Sequence, residues 1–112
     1  MSDAAKRSYS RYALEALELL GKTVRHGRIQ RRMSANELAE RIGISRGTLQ
    51  RIEKGGPRVE IGLMVEAAVI VGVKLFVSDE RQLRSHSSRM DDRLAVLPKH
   101  VCKAAADIDD DF

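Results

Sequence analysis

Arg46 and Gln50 stand four residues apart in the stretch SRGTLQRIEKG, and Gly47, Arg51 and Lys54 share their polar surroundings. On a helix, residues four apart lie on one face. The planar fork of arginine matches two acceptors of guanine, and the glutamine amide matches adenine. Gly47 would let a bulky surface come close. The hydroxyls of Ser45 and Thr48 suit phosphate oxygens, and Arg51 and Lys54 suit the flanking sugar–phosphate backbone. Ser34 and Asn36, at the start of the preceding helix, complete the candidate set. Taken singly, each is an ordinary solvated side chain. Taken together, they form a surface that could read double-stranded DNA.

Two short helices must position these groups. Ser34 followed by Glu37 is a capping box, in which side chain and backbone satisfy each other at a helix start. Leu38, Ala39 and Ile42 then fall on one face. Gly43 can adopt the left-handed conformation that commonly ends a helix. Ile44 turns inward, and Ser45 is a good cap for the next helix. Leu49 and Ile52, three apart, share its buried face. Gly55-Gly56-Pro57 stops it. Ala39 is small where two steeply crossed helices must meet. The pattern predicts a helix-turn-helix unit from Ser34 to Lys54, whose second helix would place its N-terminal half in a major groove.

Charge agrees with that reading. Leu20 to Gly55 holds nine basic and three acidic residues, net +6, against +4 for the whole chain. Basic charge concentrated around such a motif is the footprint of a polyanion binder. No segment joins a large apolar face to a basic one, as a membrane-surface helix would. No apolar run approaches a membrane span. The start, MSDAAKRSYSRY, lacks the apolar centre of a secretory signal, and Cys102 is the single cysteine. These features lead to the expectation of a cytoplasmic, nucleoid-associated protein. With 43 % hydrophobic residues but only 4 % aromatic and no tryptophan, the core must be aliphatic.

Catalysis finds little support. His26, His86 and His100 sit in unrelated segments, and His100-x-Cys102 offers two metal ligands where structural zinc needs four. No phosphate loop, HExxH or nucleophile elbow is present. We expect no enzyme activity, metal or cofactor.

The rest of the chain divides around the motif. Residues 1–9 read as a flexible arm, 10–77 as the DNA-binding and dimerisation domain, and 78–112 as an extension. A helix is predicted over 10–33, bent at Gly21 or Gly27, with Leu14, Leu17, Leu20 and Val24 as its stripe. Gly27 is also a candidate close crossing, and Met33 a hydrophobic staple before Ser34. Residues 58–72 form a helix that Ile61, Met64, Val65, Ala68, Val69 and Val71 nearly surround, so core and a second subunit would both cover it. Val73 to Val77 alternates like a strand, which would need a two-fold mate, or else is an apolar coil over the core. Arg81 to Ser88 reads as a linker, followed by a short helix from Ser88 carrying Met90, Leu94 and Leu97 and stopped by Pro98. The terminal Asp107, Ile108, Asp109, Asp110, Asp111 and Phe112 form either a partner-binding tail or a solvated terminus.

The motifs S-x-x-E-L-A, G-I-S-R-x-T-L, R-I-E-K-G and V-x-I-G…V-G-V between Leu20 and Leu75 resemble the Xre-type helix-turn-helix family. Val59-Glu60-Ile61-Gly62 and Leu97-Pro98-Lys99-His100-Val101 narrow the resemblance to HipB-type antitoxins. The resemblance implies an all-α, lambda-repressor-like helix-turn-helix bundle and a homodimer on a palindromic operator in its own promoter. It also implies a partner, a HipA-like serine/threonine-kinase toxin that the protein neutralises. It pairs Arg28 with Glu53 as scaffold rather than as a DNA contact. Ala35 stands where the family often has a glutamine that buttresses base reading, and His100 replaces a usual arginine. A phage-type or housekeeping repressor without a toxin, and a protein-interaction module that binds no DNA, are the competing readings.

Overall fold

The computed structural model describes residues 8–77 and 79–101. Residues 1–7 of the arm and the tail from Asp107 to Phe112 lie outside the described residues. Five helices follow one another: α1 Arg11–Gln30, α2 Ala35–Ile42, α3 Arg46–Glu53, α4 Ile61–Ile70 and α5 Glu80–Ala95. No strand occurs among the described residues. The protein is an all-α helix-turn-helix bundle. The chain forms two compact units that divide between Leu75 and Phe76.

In the first unit α1 packs on α3 and α4, and α2 packs on the same two helices. Val24, Leu38, Ala39, Leu49, Ile52, Met64, Ala67, Ala68 and Val71 are buried where they meet. Leu17, Leu20, Met33, Ile42, Ile44 and Val59 close around them. The core is aliphatic, as composition required. Truncating Leu38, which has no exposed surface, should cost about 2–5 kcal/mol.

Local chemistry sets each boundary. Ser10 starts α1 by accepting the Ala13 N–H at 3.1 Å. Arg32, left-handed at φ 55°, turns the chain after α1. The capping box is complete: Ser34 Oγ accepts the Glu37 N–H at 3.0 Å, and Glu37 Oε1 accepts the Ser34 N–H at 2.8 Å. Gly43 ends α2 at φ 86°. α1 is one continuous helix through Gly21 and Gly27. Both glycines mark close approaches, at Gly27 as its spacing suggested. A Cβ on Gly21 would stand 2.6 Å from the carbonyl oxygens of Ile52 and Glu53, and one on Gly27 would stand 3.0 Å from Val71.

α4 is buried through Met64, Ala67 and Ala68 but leaves Ile61 77 % and Val69 61 % exposed, so one chain covers only part of it. Val73 to Val77 is irregular within the single chain, the apolar-coil alternative, where no second strand stands beside it. Arg81 to Ser88 is no linker: α5 is continuous from Glu80. Its N-cap is Asp79, whose carboxylate accepts the Gln82 N–H at 2.9 Å. The serines hid that helix, since they favour caps and turns without forbidding a helix interior. No described helix is long and apolar enough to cross a membrane.

Candidate nucleic-acid interface

The second helix of the motif, α3, is held from both ends. At its start Ser45 Oγ accepts the Thr48 N–H at 3.0 Å and donates to Thr48 Oγ1 at 3.1 Å. Arg51 Nη2 donates to the same Thr48 oxygen at 3.1 Å. Thr48 therefore accepts twice, and its own hydroxyl hydrogen stays available for an outside acceptor. Ser45 spends its hydrogen and one of its two lone pairs on the helix start. Its role is to cap α3 and orient Thr48 and Arg51.

At the other end α3 meets the backbone of α1. Gly55 is left-handed at φ 77°, and a Cβ there would stand 2.7 Å from the backbone of Glu18. A side chain is excluded twice, by conformation and by space. With Gly21 on the facing surface, the two glycines bring the C-terminal end of α3 against α1.

The Arg28–Glu53 pair fixes the same joint. Arg28 Nε and Nη2 donate to the two carboxylate oxygens of Glu53 at 2.7 and 3.1 Å, and Nη1 donates to the Met33 carbonyl at 3.1 Å. Both side chains are largely buried, 12 % and 10 % exposed. The hydrogen bond to Glu53 raises the Arg28 pKa above its ordinary value, opposed by desolvation and aided by the neighbouring negative charge. One residue thus ties together α1, the turn before α2, and α3. Arg25, 63 % exposed, reaches Glu53 only at 3.9 Å.

Between α1 and α3 opens a groove of about 920 Å³. Arg46, Gln50 and Lys54 line it from α3, its flank and C-cap; Glu18, Lys22 and Arg25 line it from α1; Ala35 lines it from α2. Three of the residues expected to contact DNA therefore share one concavity. Ser45, Thr48 and Arg51 form the hydrogen-bonded cluster beside it. Ser34 and Asn36 are exposed at the start of α2, where the Ser34 oxygen is occupied by the cap. Gly47 is exposed, and a Cβ there would approach nothing closer than 3.8 Å. No neighbour inside the chain requires a glycine at that position.

Lys22 and Arg25 were not singled out by motif reasoning. Their signal was the spacing Glu18, Lys22, Arg25, which repeats at four and three residues and so marks a second polar face of α1. Only the fold shows that this face lies beside α3. Ala35 sits in the groove with Arg46 and Gln50, so the small side chain leaves open the place a longer one would fill.

Comparison with known proteins agrees with this geometry. A family model described as a helix-turn-helix domain matches residues 19–75. No curated protein matches the chain, and no solved structure matches it. The matched residues contain all of the groove except Glu18, together with the hydrogen-bonded cluster at Thr48, and the chain belongs to the helix-turn-helix domain family of DNA-binding proteins.

Proposed function

We propose that this protein is a sequence-specific transcriptional repressor that binds a palindromic operator as a homodimer, and that it is the antitoxin of a type II toxin–antitoxin system. The observation that carries the DNA half is the shared groove: Arg46 and Gln50 project from α3 beside Lys22, Arg25 and Lys54. Arg46 and Gln50 read base edges, Gly47 permits close approach, and Lys22, Arg25, Arg51 and Lys54 hold phosphates. Thr48 donates its hydroxyl hydrogen to a phosphate and holds Arg51 toward the same strand. Ser34 and Asn36 approach the backbone from the start of α2.

Dimerisation is supported by α4, whose Ile61, Val65 and Val69 are exposed at four-residue spacing on one stripe. Large apolar side chains in a row are normally covered by a partner. The antitoxin half rests on the Val59–Gly62 and Leu97–Val101 resemblances, with a HipA-like kinase as the toxin and Asp107–Phe112 as the segment that binds it.

A gel shift against DNA upstream of the protein's own operon tests the DNA half. A salt-dependent complex with a distinct preferred site is expected. Absence of any such complex would return the protein to the interaction-module reading. A kinase-like reading frame next to this one tests the antitoxin half. A neighbourhood without one favours a phage-type or housekeeping repressor.

A further inference from the structure

α5 has 16 residues, and none of them is buried. It includes Ser85, Ser87 and Ser88, which are weak helix formers. In proteins most helical stability comes from a packed apolar face rather than from propensity. The apolar residues of this segment are nevertheless ordered. Leu83, Met90 and Leu97, the last of them two residues past the helix end, are spaced by seven, and Ser87 and Leu94 fall four residues after Leu83 and Met90. The steps are four, three, four and three, the repeat of a two-stranded coiled coil. Leu83, Met90, Leu94 and Leu97 are all at least 44 % exposed. Phe76, seven residues before Leu83, extends the series ahead of the helix. With Leu83, Met90, His86 and Arg93 it lines a shallow groove of about 560 Å³ within the second unit.

The residues flanking the stripe point to its occupant. One flank carries Asp79, His86 and Arg93; the other carries Arg84 and Asp91. In a parallel pair, the first flank of one helix meets the second flank of its mate five residues further on. Asp79, the N-cap just ahead of the helix, then lies nearest Arg84 of the second copy, and His86, which Arg89 of its own helix contacts at 3.1 Å, faces Asp91 of the second copy. Both contacts are complementary, and each occurs twice. Antiparallel packing keeps an Arg84–Asp91 contact but sets His86 against Arg93 and presses Glu80 onto Leu97. The parallel form brings Glu80 near its own copy at the first turn, where Arg84 of the same helix already lies 3.3 Å from it.

We infer that α5 is a dimerisation helix that pairs in parallel with α5 of a second copy along Leu83, Ser87, Met90, Leu94 and Leu97. The inference deepens the homodimer reading and rests on it. It adds an interface in the second unit, separate from the exposed stripe of α4. A parallel pair has its two-fold axis along the seam, the symmetry that a palindromic site requires. Ser87 is a weak polar layer in the seam, so this helix adds to dimer stability without being its only source.

The test uses the full chain with Cys102→Ser, which removes the single native thiol. Under mild oxidation Leu83→Cys and Leu97→Cys should each form a covalent dimer, because a parallel two-fold places each residue beside itself. Arg81→Cys, on the outer face, should not. An Asp91→Lys change should weaken cross-linking of the Leu83→Cys chain at least several-fold, and adding His86→Glu should restore it. Cross-linking that requires Leu83→Cys and Leu94→Cys together would show antiparallel packing and overturn the proposal. A dimer by light scattering without either single cross-link would overturn the seam and leave the homodimer reading intact; a monomer would overturn both. A cross-link that appears only after removal of residues 102–112 would assign the stripe to the acidic tail instead.

Discussion

At the residue scale, the proposed DNA-reading surface depends on side chains whose hydrogen bonds are already partly committed. Thr48 accepts from both Ser45 and Arg51, so the Arg51 guanidinium is preplaced at the start of α3. Thr48→Val keeps the shape and the backbone cap but removes the acceptor. It should weaken binding to specific and unrelated DNA alike, as loss of a phosphate contact does. Arg51→Ala should do the same and reduce the salt slope by about one. Arg46→Ala differs in kind. It should cost about 1–3 kcal/mol at the operator while leaving non-specific binding largely unchanged. Titrations of both DNAs at fixed salt separate the two classes, and equal losses on both would take Arg46 out of base reading. Gly47 gives a third result. A helical glycine is less favourable than alanine by up to about 1 kcal/mol, and nothing in the chain crowds a Cβ there. Gly47→Ala should therefore raise the unfolding midpoint and weaken the operator complex. A stabilised protein with undiminished affinity would mean that no surface approaches Gly47 closely.

At the scale of elements, caps and periodicity make α1, α2 and α3 legible in the sequence alone. Ser34–Glu37, Gly43 and Ser45 are local chemistry, and each boundary falls where that chemistry puts it. Relations between distant segments were not legible from spacing. Gly21 reads as a possible bend along the sequence, yet it is where α1 touches the end of α3. The Arg28–Glu53 pair, 25 residues apart, came from family resemblance, not from any periodicity. The Lys22–Arg25 side of the groove could be counted as charge but not placed. The serines and arginines of α5 resemble a linker, although its apolar repeat is present in the sequence. The joint between α1 and α3 carries a prediction of its own. Gly21→Ala forces a Cβ onto backbone oxygens that cannot swing aside, and overpacking of this sort costs about 1–3 kcal/mol. Gly62→Ala, in α4 with open space around it, should instead stabilise by roughly 0.5–1 kcal/mol. Urea midpoints of the pair test whether Gly21 is a packing requirement; a stabilised Gly21→Ala protein would show that it is not.

At the scale of the whole molecule, charge is divided unequally along the chain. Leu20–Gly55 is net +6 while the full chain is +4, and four of the acids that offset it are Asp107, Asp109, Asp110 and Asp111. A tail of that charge could repel DNA or bind a partner, and the two effects have different ranges. Charges separated by more than about 8 Å in physiological salt are largely screened. Removing Asp107–Phe112 raises the net charge from +4 to +8 without touching the groove. Operator affinity at physiological salt should then stay within about twofold, and at low salt it should rise as the tail's repulsion becomes long-ranged. Inhibition of the proposed kinase-like partner should be lost, because Phe112 and the aspartates are its proposed anchor. Measured on one truncated protein, unchanged operator binding with loss of neutralisation places the two functions on separate segments. Retained neutralisation removes the tail from toxin binding and moves that role to residues before Asp107.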